Sequence, residues 1–380
     1  MYKMFFLALF AGLFGLAQAQ SAVERQALTL NFGDFQSKAE LTYPAQGGPF
    51  PTVILIHGST PMDMDAGVFG RGPNGQPVKL SAIFKDISEF LSARGFAVLR
   101  YNKHYVSGPG QADFQSFYSK LTLQQMLADA QTALEAAKAN PKVDKRKIFL
   151  YGWSEGSTVA AALAAQHPEL AGLVVQGPVA LPWRDLFAYQ IEQVGLPYLS
   201  NFAQDGKVTD ATLVAALQGN GGLVAQSVLN YIADPQAFQQ GRIAINPTLD
   251  TNKNGALDLA SELSPQVFGR MLDAAFSPQG FFTIYAPGRA LPTATEQAPS
   301  LKMPVLILQG ANDANVPAQG ARALDEALAK SGNPRHLLKI YEGLGHSLGT
   351  ASSPLDDNFR PIQTAPLQDL AAWLTERSRG

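Results

Sequence analysis

"KIFLYGWSEGSTVAAALAAQ" fills residues 147–166, and how this stretch divides decides the fold. Its first half, ending at Trp153, is a short apolar run of the kind that forms a strand buried on both faces. Its second half is alanine-rich from Val159 onward and reads as a helix. Ser154 sits on the turn between them, with Gly152 and Gly156 two residues to either side. Larger side chains there would collide as the backbone doubles back, so the spacing predicts a sharp strand–turn–helix that exposes the serine hydroxyl at a helix N-terminus. A serine that merely caps a helix gives the same letters, so the rest of the chain has to decide between nucleophile and cap.

Outward from this turn, short apolar runs alternate with helical patterns. "TVILIHG" (52–58), "FAVLRYN" (96–102), "LAGLVVQG" (170–177), "PVLILQGAND" (304–313) and "LLKIYEGLGH" (337–346) read as further buried strands. Residues 80–95 and 121–140 between them read as helices. Such alternation predicts an α/β fold, a mostly parallel central sheet with helices on both faces. Residues 27–45, "ALTLNFGDFQSKAELTYPA", alternate more like an antiparallel hairpin at the sheet edge. From Leu181 to Lys302 the alternation stops, and "WRDLFAYQIEQVG", "DATLVAALQG" and "SPQVFGRMLDAAF" carry amphipathic helical patterns. That length exceeds a loop, so the expected organisation is a core of 20–180 and 303–380 with an inserted helical lid at 181–302.

The 380 residues are 46% hydrophobic and 16% charged with a formal net charge of −2, which is enough apolar matter for a large core and no basic patch for nucleic acid. With no cysteine, there is no disulfide framework, thiolate metal site or lipidation site. Residues 1–19, "MYKMFFLALFAGLFGLAQA", carry Lys3, an apolar stretch and the small-x-small pattern Ala17-Gln18-Ala19 of a secretory signal peptide. The expectation is export to the periplasm or the exterior, a mature chain starting near Gln20, and no stable membrane anchor after processing. Oligomeric state has no signature in the sequence.

A nucleophilic serine needs a base, a group that orients the base, and donors for the oxyanion. Where this elbow is used, the acid and then the histidine follow on loops after later strands. Asp313 and His346 stand in those positions. Of the five histidines, His57 and His104 follow early strands, His167 lies at a helix end and His336 precedes a strand; only His346 falls after the last strand in a glycine-flanked loop. Asp325 is an alternative acid, but it lies inside a helical pattern. For the oxyanion, Glu155 offers the backbone N–H after the nucleophile, and Ser59 or Thr60 in "IHGSTPMDMD" offers the second.

With "HGS", "LRYNK", "GWSEGS", "QGAND" and "GLGH" in this order, the chain resembles a secreted α/β-hydrolase-fold serine esterase. It is similar to the esterase and acyl-hydrolase branch whose first loop reads like G-S-G-P-x-D-R-D and whose elbow carries Ser-Glu-Gly. Gly58, Ser59, Pro61, Asp63 and Asp65 match that loop; Thr60 replaces a glycine and Met64 an arginine. The resemblance implies an exported hydrolase of small-molecule carboxylic esters, working through an acyl-enzyme on Ser154 with His346 and Asp313 and requiring no cofactor. A serine peptidase or thioesterase of the same fold is the alternative, the peptidase ranking lower because no propeller-like repeat gates a peptide.

"DTNKNGALDLASE" (250–262) sets Asp250, Asn252, Asn254 and Asp258 at positions 1, 3, 5 and 9 of a calcium loop, with Gly255 at the turn. Ser261 takes the place of the closing acid, and Glu262 comes one residue late. This loop reads either as a structural calcium site or as a solvated Asn-Gly turn. A non-catalytic calcium-binding module is the remaining class, and the complete set of Ser154, Asp313 and His346 argues against it.

Overall fold

The computed structural model describes residues 22–71, 76–277, 279–280 and 282–379. The signal peptide expected at residues 1–19 lies outside them.

The main sheet contains β1 (Val23–Asn31), β2 (Gln36–Pro44), β3 (Phe50–Ile56), β4 (Ala97–Tyr101), β5 (Val143–Trp153), β6 (Gly172–Gln176), β7 (Val305–Gly310) and β8 (His336–Tyr341). Its spatial order is β1-β2-β4-β3-β5-β6-β7-β8. β1 and β2 form the antiparallel edge hairpin, β2 runs antiparallel to β4, and every other pair is parallel. Helices α1 (Ile83–Ser92), α2 (Leu123–Ala139), α3 (Gly156–Gln166), α4 (Ala318–Lys330) and α5 (Thr364–Ser378) cover the two faces. Strand side chains alternate between these layers. Ile54, Leu150, Val175 and Ile307 pack with α2, α3 and α4. Val53, Phe149, Val174 and Leu308 pack with α1 and α5. Because both faces are buried along β3, β4, β6 and β7, these strands read as continuous apolar runs rather than as a two-residue alternation; β8, expected to be buried as well, is an edge strand and only partly so, with Leu337 exposed.

α1 begins at Ile83 rather than Leu80, because Leu80–Ala82 completes the short strand Pro77–Ala82, which pairs with Gly67–Arg71. This ribbon leaves Phe69 and Val78 exposed, so its residues carry no buried-face pattern. α2 starts after Thr122, whose hydroxyl accepts the Gln125 N–H at 3.0 Å.

Between β6 and β7 the chain makes a helical excursion that includes Trp183–Tyr189, Leu196–Ser200, Asp210–Gln218, Leu223–Leu229 and Pro265–Ala275. The excursion has its own apolar cluster, with Val194, Leu199, Leu213, Val228, Leu257 and Phe268 at its centre. The continuous helix expected over "WRDLFAYQIEQVG" widens into a π-helical turn at Gln190–Gly195, where Gly195 packs on Val228 and Pro197 just beyond has no N–H to donate. Lys207–Val208 pairs with Leu257–Asp258, strands too short for any periodicity to reveal. The excursion closes on itself where the Ala294 N–H donates to the Val179 carbonyl at 3.1 Å. Among the described residues, no helix is long and apolar enough to cross a membrane.

Candidate active site

β5 ends at Trp153 and α3 begins at Gly156, so Ser154 must turn the chain within two residues, and it does so at φ +56°. That left-handed backbone is costly for a residue with a Cβ and recurs at functional sites. The turn is possible because the flanking positions are bare. A Cβ on Gly152 would lie 2.4 Å from the Gly156 carbonyl oxygen, and one on Gly156 would lie 2.3 Å from that of Ile56. The elbow is thereby pressed against the end of β3, next to the loop that carries Ser59 and Thr60. The Ser154 N–H donates to the Gln176 carbonyl at 2.9 Å, which fixes the turn from the β6 side.

His346 follows β8. Its Nδ1 lies 2.7 Å from Asp313 Oδ2, and its ring packs against Trp153 and Phe359 at centroid distances of 5.5 and 5.4 Å. Asp313 is buried and held from several directions. Its Oδ1 accepts the N–H groups of Asn315 and Val316 at 2.8 and 2.9 Å, and Oδ2 also accepts from Gln309 Nε2 at 3.1 Å. An acid fixed in this way favours the imidazole tautomer with the proton on Nδ1, which leaves the Nε2 lone pair able to accept a proton. Ser154 and His346 line one cavity of about 360 Å³ together with Ser59, Thr60, Leu223 and Ser227. The N–H groups of Ser59, Thr60 and Glu155 have no hydrogen-bond acceptor among the described residues. Unpaired amides beside a half-buried serine that lines a cavity are what an oxyanion requires.

The remaining histidines are engaged elsewhere. His57 is buried with Nε2 3.0 Å from the Asp63 carbonyl oxygen, and burial, aided by the Lys103 charge, lowers its pKa to about 3, so it stays neutral. His104 bridges Asp129 and Asp34 at 2.8 and 3.0 Å. His167 meets Glu169 and Gln131. His336 takes Asp325 at 2.7 Å, which removes Asp325 as a competing acid.

In the first loop, Asp65 pairs with Arg100 of β4, which also pairs with Glu40. Asp63 Oδ1 accepts the Gly67 N–H at 3.1 Å.

Sequence reasoning missed three groups around the site. Asp357 is buried, and its Oδ2 accepts the N–H groups of His346 and Ala314 at 2.8 and 3.2 Å; burial, then the neighbouring Asp313 charge, raises its pKa. No spacing in "PLDDNF" marks it. Lys103 donates through Nζ to the Gly58 and Ser59 carbonyls and to Glu155 Oε1 at 2.5, 3.1 and 2.7 Å. Its signal was a cation directly after the apolar run "FAVLRYN". Tyr285, from the excursion, donates its hydroxyl to Glu155 Oε2. A second cavity, of about 390 Å³, shares Ser59 and Thr60 with the first and is walled by Phe117, Phe187 and Tyr285.

The 250–262 loop lines neither cavity. Asp250 accepts the N–H groups of Asn254 and Gly255, Asn252 that of Asn254, and Asn254 that of Ala256. Asp258 takes Ala260 and Ser261, and the Glu262 carboxylate closes on Thr251, Asn252 and Asp258. Among the described residues, no group of three or more His, Cys, Asp or Glu is arranged to hold a metal.

Comparison with known proteins gives a consistent picture. The alpha/beta hydrolase fold family matches residues 51–349. Esterase EstD of Thermotoga maritima is 32% identical over 154 residues, 40% of this chain and 33% of EstD, so the chain aligns with about a third of that relative. A proline iminopeptidase of Mycobacterium smegmatis superposes with a TM-score of 0.51 at 14% identity, covering 93% of this chain and 98% of that one. A cold-adapted esterase from an Arctic intertidal metagenomic library gives 0.46 at 13% identity, covering 93% and 94%. At 14% identity the iminopeptidase speaks to fold alone. The family match runs from β3 to just past His346, through the elbow and the loops after β7 and β8, and the chain belongs to the alpha/beta hydrolase fold family.

Proposed function

We propose that the protein is an exported serine hydrolase that cleaves carboxylic esters of small molecules through an acyl-enzyme. The observation that carries this reading is the 2.7 Å His346–Asp313 pair beside a serine held at φ +56°, in one cavity with unpaired amides. In this mechanism Ser154 Oγ attacks the ester carbonyl carbon while His346 Nε2 takes the hydroxyl proton. Asp313 stabilises the imidazolium. The N–H of Glu155, with that of Ser59 or Thr60, receives the oxyanion. The imidazolium then protonates the departing alkoxide, and the alcohol leaves an acyl-serine. Water, deprotonated by His346, attacks that acyl carbon; the bond to Oγ breaks, the imidazolium returns the proton to Ser154 Oγ, and the acid is released. No step draws on a metal.

The helical excursion acts as a lid whose residues shape the pocket above the strand ends. A peptide or thioester substrate would use the same residues and differ only in leaving group. We read the 250–262 loop as a turn held by its own hydrogen bonds, and residues 1–19 as a leader removed after Ala19; the mature N-terminus of the secreted protein checks the latter.

The test is turnover of p-nitrophenyl esters of increasing chain length beside peptide anilides and thioesters, by wild type and Ser154→Ala at matched folding. Ester hydrolysis in the wild type and a loss on the order of 10⁶ in kcat in the variant are expected. A folded Ser154→Ala protein with wild-type turnover would overturn the assignment.

A further inference from the structure

We propose that Lys103 is a positioning residue that presets the oxyanion hole; the proposal rests on the ester-hydrolase reading of Ser154 and adds how its amides are aimed. Lys103 lies just beyond β4 and is buried. Its ammonium group has three protons, and three acceptors surround it: the carbonyl oxygens of Gly58 and Ser59 and the carboxylate of Glu155. Two of these carbonyls belong to the peptide units that carry the Ser59 and Thr60 N–H groups. In a trans peptide the C=O and N–H vectors point in opposite directions. Drawing both carbonyls onto Nζ therefore turns both N–H groups away from Lys103; they have no acceptor among the described residues, and Ser59 and Thr60 line the Ser154 cavity. One ammonium thus fixes two peptide planes, and either amide then stands ready beside the N–H of Glu155.

The third contact joins the two halves of the hole. Glu155 follows the nucleophile, so its backbone N–H belongs to the elbow while its carboxylate holds the cation that aims the Gly58–Thr60 loop. The charge on Lys103 is balanced by a carboxylate whose other oxygen is occupied by Tyr285, which is stacked on Trp183 at 4.0 Å. Without Lys103, the Gly58 and Ser59 carbonyls would lose their buried donor, and the two peptides would be free to rotate.

An oxyanion forms only on the way to the tetrahedral intermediate, so a badly aimed hole lowers kcat and leaves KM nearly unchanged. Lys103→Met alone leaves Glu155 as an unpaired buried charge and risks unfolding. The working variant is therefore Lys103→Met/Glu155→Gln, which removes both charges and conserves volume. We expect its kcat to fall roughly 10²–10³-fold, the scale of losing one oxyanion donor. Its KM, and its affinity for an uncharged amide analogue of the substrate, should stay within about threefold. Its affinity for a boronic acid, which mimics the tetrahedral state, should fall in step with kcat/KM. A folded double variant whose kcat and boronic-acid affinity stay within about threefold of wild type overturns the clamp. So does a parallel loss of amide and boronic-acid affinity, since that is a disordered site rather than a misaimed hole. If the wild type itself neither hydrolyses esters nor reacts with a fluorophosphonate, the ester-hydrolase reading fails instead, so the two failures are separable.

Discussion

Replacing Ser154 by glycine should leave a dead protein that is more stable than the wild type. The reason is the φ of +56° at the elbow. A left-handed backbone costs an L-residue about 1–2 kcal/mol, and glycine escapes that cost. Against it stands the greater freedom of glycine in the unfolded chain, about 0.4–1 kcal/mol. The hydroxyl itself has no protein partner among the described residues, so its removal adds nothing to the loss. The net expectation for Ser154→Gly is a gain of about 0.5–1 kcal/mol. Ser154→Ala keeps the strained backbone and should match the wild type to within about 0.5 kcal/mol. A serine that merely capped α3 would give a different order: both substitutions would destabilise, alanine by about 1 kcal/mol. Urea unfolding of the three proteins at a common m-value separates these cases. With m near 3 kcal/mol/M, the glycine midpoint should rise by roughly 0.2–0.3 M. A glycine variant less stable than wild type would refute the strain argument, whatever its activity.

Asp357→Ala should lower kcat about 10²-fold by freeing the His346 loop, and Asp357→Asn, which keeps an acceptor for the N–H groups of His346 and Ala314, should lose less; steady-state kinetics at matched folding decides. Burial opposes a charge on His104, but its hydrogen bonds to Asp129 and Asp34 and their charges outweigh it, and its pKa is raised above 6.5. That contribution to stability is complete below 6.5 and lost as pH rises through the raised folded value, so the stability margin of wild type over His104→Gln should shrink as pH is raised from 6 into the alkaline range; an unchanged margin would refute the charged pairing. Because the oxygens of the 250–262 loop are taken by its own N–H groups, melting temperatures in chelator and in millimolar calcium should agree within about 1 °C, whereas occupancy at a hundredfold excess over Kd would add about 2.7 kcal/mol.

The parts of this protein that were legible in its sequence are those where one residue's neighbours in the chain dictate its conformation. The buried parallel strands announce themselves as apolar runs, and Gly152 and Gly156 mark the elbow because close approach there is a local property. Asp313 and His346 could be picked out because each follows a strand, and strand ends in this fold converge on one edge. Lys103, Glu155, Tyr285 and Asp357 were illegible as a group, since their contacts join positions far apart in the chain. The Gly67–Arg71 ribbon escaped for another reason: its partner strand is also solvent-facing, so neither carries a periodic pattern.

The hydrogen bond from Ala294 to Val179 has an evolutionary consequence. It ties off the excursion at its base, and the excursion touches the loop after β7 at few points, where the Tyr189 hydroxyl and Gln190 Nε2 donate to the Asp313 and Asn315 carbonyls. Lengthening a closed loop is thermodynamically mild, each doubling adding only about 0.6 kcal/mol. Descendants can therefore lengthen or shorten the parts of this stretch that make no such contact while β6, β7 and the loops they carry keep their places. If the excursion shapes the pocket as proposed, selection on substrate range would act largely on those parts, and a chimera made at Val179 and Ala294 has to keep Tyr189, Gln190 and Tyr285, which hold Asp313, Asn315 and Glu155.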